Sequence, residues 1–249
     1  MKVIIFAGGV GSRLWPLSRK KSPKQFEKII GDKSTLQLAA GRLEPDFKWQ
    51  NIYVATNSTY ANIVHEQLPK LPPNHVIGEP VMRDVGPAVG LAAALLAREN
   101  PLEPMVILWS DHLVKKDALF RKILLASGSI VTKEQDRIVF VAQKARFASE
   151  NLGWINFGKE TKNTDGVSFH SFVDFQYRPD AKTAKQYFES GHHAWNLGYF
   201  VTTPKFLLSL YETFVPNVYK GISQIAETWH TDAFNKTLED VYPTLEKIS

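Results

Sequence analysis

The sequence predicts an α/β protein: a mixed, mainly parallel sheet flanked by helices, with antiparallel strands added in the second half. Three observations predict it. Short apolar runs rich in β-branched residues, at Val3–Phe6, Ile52–Ala55, Val76–Gly78 and Met105–Trp109, read as strands buried on both faces. Helical patterns separate these runs, so strand and helix alternate as crossover units require. Beyond about residue 143 the apolar runs give way to alternation, as in strands with one wet face.

Taken in order, the first strand ends at Phe6 and is followed by Ala7 and a turn that drops its side chains at Gly8, Gly9 and Gly11. Glycine lets a ligand approach the main chain, and successive free N–H groups in such a turn form an anion-binding concavity. Arg13, Arg19, Lys20, Lys21 and Lys24 follow, which suits a polyphosphate. The string is neither a Walker loop nor a dinucleotide fingerprint: no Gly-Lys-Ser/Thr ending is present, and Pro16 interrupts any helix opened by the glycines.

Ser34 is the expected cap of a helix over residues 35–43. Asn57 or Ser58 should open a helix through Leu68, broken by Pro69, Pro72 and Pro73. Glu79 to Ala88 then runs into an Ala/Leu-rich helix to about Glu99, with Pro87 suited to its first turn. A strand over residues 105–109 leads directly into Ser110-Asp111-His112. A helix over 117–133 and a strand over 137–142 follow. Strands are expected over 153–158 and 167–175, a helix capped by Asp180 over 181–190, a strand within 195–202, and mostly helix from Pro204. No repeat or linker is evident. One domain is therefore expected over residues 1–249, with a mainly parallel first half (1–142) and an elaborated second half (143–249). Ligands of such sheets bind beyond the strands' carboxyl ends, so Gly8–Arg13, Glu79–Arg83 and Asp111 should converge on one crevice.

Composition narrows the alternatives. In 249 residues, 44% are hydrophobic, enough for a sizeable core, and the absence of cysteine excludes disulfides, thiolate metal sites and cysteine nucleophiles. No run approaches the ~20 apolar residues of a membrane span, and the N-terminus does not read as a signal peptide, so a cytoplasmic protein without a membrane partner is expected. The net charge of +5 is mild and concentrated in the Arg13–Lys24 cluster. Basic–aromatic alternation is missing, so no nucleic-acid partner is expected. The oligomeric state stays open, a homodimer included.

The run Gly8-Gly9-Val10-Gly11-Ser12-Arg13-Leu14-Trp15-Pro16-Leu17-Ser18-Arg19, with Pro23-Lys24-Gln25-Phe26, closely resembles the signature of the sugar-1-phosphate nucleotidyltransferases. Trp15 and the Pro-Lys-Gln-Phe ending resemble the branch that handles mannose-1-phosphate and GTP. The resemblance spans Met1 to near Ser249 and is most specific over residues 7–26. It implies a Rossmann-like sheet of the nucleotide-diphospho-sugar transferase type, and Mg²⁺-dependent guanylyl transfer from GTP to mannose-1-phosphate. It also implies roles. Arg13 would hold the departing pyrophosphate, Lys24 would neutralise charge near the α-phosphate, and Asp111 would bind the metal. Ala7, Gly8, Gly9, Gly11 and Ser12, with Glu79, Arg83, Pro87 and Ala88, would bind the nucleotide; Gly153, Arg178 and Asn196 would bind the sugar phosphate.

The sequence departs from the family at several of these places. Asp84 stands where Asn is usual, Tyr177-Arg178-Pro179 where Glu-Lys-Pro is usual, and Leu197 where Ser is usual. Arg178 still suits a phosphate, whereas Tyr177 cannot accept from sugar hydroxyls as a carboxylate does. The family's second metal aspartate follows a segment like Leu245-Glu246-Lys247-Ile248-Ser249, where this sequence stops, so a fragment is expected. Two alternatives stay open: the same chemistry on another hexose-1-phosphate or nucleotide, and a non-catalytic nucleotide-sugar-binding or regulatory protein.

Overall fold

The structure, a computed structural model, describes residues 1–8, 23–28 and 31–248, and of Lys24 the backbone alone. Among these residues eight strands form one sheet. Four are parallel: β1 (Lys2–Phe6), β2 (Ile52–Asn57), β3 (Val76–Glu79) and β4 (Met105–Trp109), with β1 between β2 and β4 and β3 outside β2. The remaining four are antiparallel additions: β5 (Val139–Lys144), β6 (Gly153–Thr164), β7 (Val167–Tyr177) and β8 (His193–Thr202). β8 joins the two parts. One of its edges pairs with β4 through residues 200–202 and with β6 through residues 193–196, and the other edge pairs with β5. β7 pairs with β6.

The apolar runs of β1, β2 and β4 are explained by helices on both faces. Ile4 and Phe6 pack with α3 (Val85–Glu99), α6 (Pro204–Phe214), α7 (Pro216–Glu227) and α8 (Phe234–Val241). Val3 and Ile5 point the other way, toward α1 (Thr35–Gly41), α2 (Ala61–Gln67) and α4 (Asp117–Lys133). Side chains alternate along a strand, so a strand covered on both sides must be apolar throughout.

Local signals set the helix ends. Ser34 caps α1 in a reciprocal capping box with Gln37, and Asp180 accepts from Thr183 N at the start of α5 (Ala181–Ser190). Left-handed Gly191 ends α5. Several boundaries differ from expectation: β5 covers Val139–Lys144 in place of 137–142, and β8 begins at His193, two residues before the expected strand. α1 stops at Gly41, where Arg42 turns its guanidinium back into the protein. The helix expected from Asn57 is divided into a 3-10 turn at Ser58–Tyr60, capped by Asn57, and α2. The β6–β7 hairpin runs past its expected strands: β6 continues to Thr164 through polar, mostly exposed residues with no apolar face, and β7 continues to Tyr177, opposite Gly153.

Candidate active site

A cleft of about 230 Å³ opens at the carboxyl ends of β1, β3 and β4. Phe6 and Gly8 come from β1 and the turn after it, Asn57 from β2, Glu79 from β3, Arg83 to Val85 and Ala88 from the entry to α3, and Trp109 from β4. The tips of parallel strands therefore build the walls, as the alternating topology requires. Gly8 is exposed, and a Cβ there would meet nothing within 4 Å, so this backbone is open to a ligand. Ala7 lies beneath: its carbonyl accepts from Gln25 Nε2 at 3.0 Å and Thr56 Oγ1 at 2.8 Å. These bonds anchor the start of the glycine turn to β2 and to the Pro23–Phe26 segment.

Glu79 is the main ionisable group in the cleft. Burial pushes its carboxyl up to about 7, and the hydrogen bond that Tyr242 Oη donates to Oε2 at 2.6 Å opposes that rise only in part. Tyr242 is fully buried in the core cluster around α3. Two elements brace the helix entry: Gly86 N donates to Ile248 O at 2.7 Å, in the stretch that follows Tyr242, and Tyr211 Oη of α6 donates to Gly86 O at 2.6 Å. A Cβ on Gly86 would lie 2.9 Å from that Ile248 carbonyl, so only glycine fits. Asp84 just before α3 has φ 65° and ψ −174°, a region that belongs to glycine, and its side chain does not cap the helix. Asp84→Gly should therefore raise stability by about 1 kcal/mol, strain relief exceeding the entropy glycine adds to the unfolded chain. Denaturant titration of the two proteins measures it.

Asp111 sits two residues beyond Trp109, outside the cleft lining, with its side chain 41% exposed and Oδ1 3.9 Å from His112 Nε2. The turn that carries it is held from below. Ser110 N donates to Phe6 O at 3.1 Å, and the buried Arg42 guanidinium donates to His112 O at 2.7 Å and to Leu38 O at 3.2 Å. Among the described residues no group of three His, Asp or Glu side chains could hold a metal. A single exposed carboxylate fits magnesium all the same, since that ion commonly takes one or two carboxylates and completes its shell with water and substrate phosphates.

The three residues assigned to the sugar phosphate lie together. Gly153 on β6 is opposite Asn196 on β8 and Tyr177 on β7, and Arg178 N donates to Leu152 O at 3.2 Å. A Cβ at Gly153 would lie 2.7 Å from the Phe175 ring. Asn196 Oδ1 accepts from Gly198 N at 2.8 Å, and Arg178 is exposed with its guanidinium over the Tyr177 ring. Trp109 connects this cluster to the cleft: it lines the cleft while its Nε1 donates to Gly198 O at 3.1 Å. Gly198 has φ 70°, and a Cβ there would stand 2.5 Å from that nitrogen.

Of the expected site residues, Gly8, Glu79, Arg83 and Ala88 line one cleft, whereas Ala7 and Pro87 lie beside it. Gly9, Gly11, Ser12, Arg13 and the Lys24 side chain lie outside the described residues. Sequence reading missed Tyr242, Trp109 and Arg42. Tyr242 is 163 residues from its partner, and no local motif marks it. Trp109 sat in plain view at the end of a strand whose carboxyl end was already expected to face ligand.

Comparison with known proteins shows the family and the fold. The family described as nucleotidyl transferase matches residues 2–239. Mannose-1-phosphate guanylyltransferase 2 of Escherichia coli O157:H7 is 31% identical over 236 residues, 92% of this chain and 48% of that relative. A mannose-1-phosphate guanylyltransferase of Salmonella muenchen is 33% identical over 224 residues, 88% of this chain and 46% of that relative. The chain thus spans about half the length of the curated relatives it matches. Among solved structures, a mannose-1-phosphate geranyltransferase from Thermus thermophilus superposes with a TM-score of 0.87 at 25% identity, over 100% of this chain and 68% of that one.

Proposed function

This chain belongs to the nucleotidyl transferase family, and from that premise we propose that it transfers a guanylyl group from GTP to mannose-1-phosphate, giving GDP-mannose and pyrophosphate. One observation carries the reading: open backbone at Gly8 and a largely buried carboxylate at Glu79 share one cleft at the strand ends. The names of the relatives supply the substrates.

In this reaction a phosphate oxygen of mannose-1-phosphate attacks the α-phosphorus of GTP. A P–O bond forms to the sugar phosphate, the bond to the bridging oxygen of the β-phosphate breaks, and pyrophosphate leaves with that electron pair. No general base is needed, because a phosphate monoester is largely ionised at neutral pH (second pKa about 6). The protein's work is to bring two polyanions together and hold them in line. Glu79 accepts from the N–H edge of guanine, with Arg83, Pro87 and Ala88 forming the same side of the base site. The backbone N–H groups of the glycine turn, Gly8, Gly9, Gly11 and Ser12, bind phosphate oxygens. Arg13 holds the departing pyrophosphate and Lys24 neutralises charge at the α-phosphate. Asp111 would hold magnesium, whose chemistry at this site is charge neutralisation on phosphate oxygens. Arg178 binds the sugar phosphate, Asn196 a hydroxyl or that phosphate, and Gly153 leaves room for the ring. On this reading residues 1–249 act as one domain in the cytoplasm.

The test is pyrophosphate release in Mg²⁺, with GTP, ATP, UTP and dTTP each crossed against mannose-, glucose- and fucose-1-phosphate. Turnover confined to GTP with mannose-1-phosphate is expected. Turnover with another pair would keep the chemistry and move the substrate, in line with Tyr177 and Leu197. Nucleotide-sugar binding without any release would make the chain a sensor and overturn the catalytic reading.

A further inference from the structure

The cleft has a second layer that the proposed reaction does not use. Behind Glu79 stands Tyr242, contributed by the turn after α8 and joined to the site only through folding. Its ring is fully buried in the same apolar cluster as Ala88 and Leu91 of α3. Its hydroxyl donates to Glu79 Oε2 at 2.6 Å.

A carboxylate offers about four lone-pair positions, and a tyrosine hydroxyl occupies one of them. The hydrogen bond therefore fixes the plane of the carboxyl group while leaving Oε1 and the rest of Oε2 as acceptors. It also favours the ionised form, against the burial that favours the neutral one. The two forms read bases differently. An ionised carboxylate only accepts, so it matches a base that presents N–H groups. A protonated carboxyl can donate, and it no longer excludes a base that presents a ring nitrogen acceptor at that edge. Whatever keeps Glu79 oriented and ionised thus decides which purine the cleft takes.

We infer that Tyr242 is a positioning residue that holds Glu79 as an acceptor for a base with an N–H edge, so that the 242–248 segment sets the purine selectivity of the cleft. The inference rests on the reading of Glu79 as the base-recognition group, and it extends that reading to a residue outside the nucleotide motifs. The remaining groups around the pair fit this role. Arg83 and Asp84 are the other charged side chains lining the cleft. Tyr211 on α6 and Arg83 are the other groups whose fields reach Tyr242. No described lysine or arginine is ion-paired with Glu79. The Tyr242 hydroxyl is accordingly the donor that stabilises its charge. The segment is anchored independently, through Gly86 N to Ile248 O and through the packing of Leu245 on Gly221 of α7. Removing one hydroxyl should therefore leave its course intact.

The experiment compares wild type, Tyr242→Phe and Glu79→Gln in EDTA, so that metal and turnover play no part. GTP and ATP binding is followed by quenching of tryptophan fluorescence, to which Trp109 in the cleft wall should contribute, from pH 6 to 8.5. In wild type, GTP affinity should rise with pH through about 7, as Glu79 ionises. Tyr242→Phe should move that rise to higher pH and weaken GTP binding at pH 7 by about tenfold, with ATP little changed. Glu79→Gln should abolish the pH dependence and bring GTP and ATP closer together. An unshifted pH midpoint with an unchanged GTP/ATP ratio in Tyr242→Phe would overturn the inference, and so would an equal loss for both nucleotides with lowered thermal stability. Carbon-detected titration of the Glu79 carboxyl separates the two readings. If wild type binds neither nucleotide, the proposed function fails. An upward shift of the carboxyl titration in Tyr242→Phe would then still uphold Tyr242's control of Glu79, and no shift would refute it.

Discussion

Replacing Asp111 by alanine should lower pyrophosphate release by about 10²–10³-fold, the scale of losing one preorganised group that stabilises transition-state charge. The fold should survive, because the side chain is exposed and its turn is held by other residues, through Ser110 N to Phe6 O and Arg42 to His112 O. Nucleotide binding in EDTA should be near wild type, since Asp111 is absent from the cleft lining. Steady-state rates over a magnesium series, together with metal-free binding, check both parts. Equal losses in rate and in metal-free binding would show that Asp111 supports the cleft and not the metal.

The second large effect concerns stability and pH. Glu79 ordinarily has a carboxyl near 4.5 and in the folded protein titrates at about 7. Between those values the native state holds a proton that the unfolded chain has released, so stability falls as pH rises through that window. Above pH 7 the buried carboxylate costs about 3 kcal/mol relative to its ordinary environment. Glu79→Gln keeps an acceptor for Tyr242 and removes the charge. It should match wild type near pH 4.5 and exceed it at pH 8 by about 3 kcal/mol, or about 6–10 °C in melting temperature for a chain of this size. Thermal scans at the two pH values decide the matter; a gain of the same size at both would mean that the carboxyl does not titrate in this window.

The parts of the fold that sequence made legible are those with a strong local cause. The buried strands β1, β2 and β4 must be apolar on both faces, and α5 carries its own start and stop in Asp180 and Gly191. The ends of β1, β3 and β4 were legible as one crevice because parallel strands place their carboxyl ends together, and Gly8 and Glu79 do line it; most of the glycine turn lies outside the described residues, and Asp111 stands outside the cleft lining. The outer half of β6 was not legible, since residues 159–164 are polar and mostly exposed and carry no apolar face. Arg42 looks like an ordinary helix-end cation until its chain is seen turned inward, almost wholly buried. Tyr242 was invisible for a different reason. Its meaning lies in a contact with Glu79 that only the packing of α7 and α8 against α3 creates, and residue spacing along the chain carries no trace of it.

The placement of β8 has a consequence for how the protein comes into being. β4 is completed at Trp109, but the strand that covers its outer edge ends at Thr202, roughly ninety residues later. At a synthesis rate of about 5–20 residues per second, an apolar strand with unpaired N–H and C=O groups waits on the order of 5–20 s for its neighbour. During that interval the nascent sheet can be capped only by the wrong partner, a second nascent chain or a chaperone. Refolding from denaturant should share this bottleneck, because pairing β8 closes a long loop before most of the sheet gains its packing. The strand that unites the parallel and antiparallel parts of the sheet is therefore the one whose late arrival most exposes the unfinished molecule to aggregation.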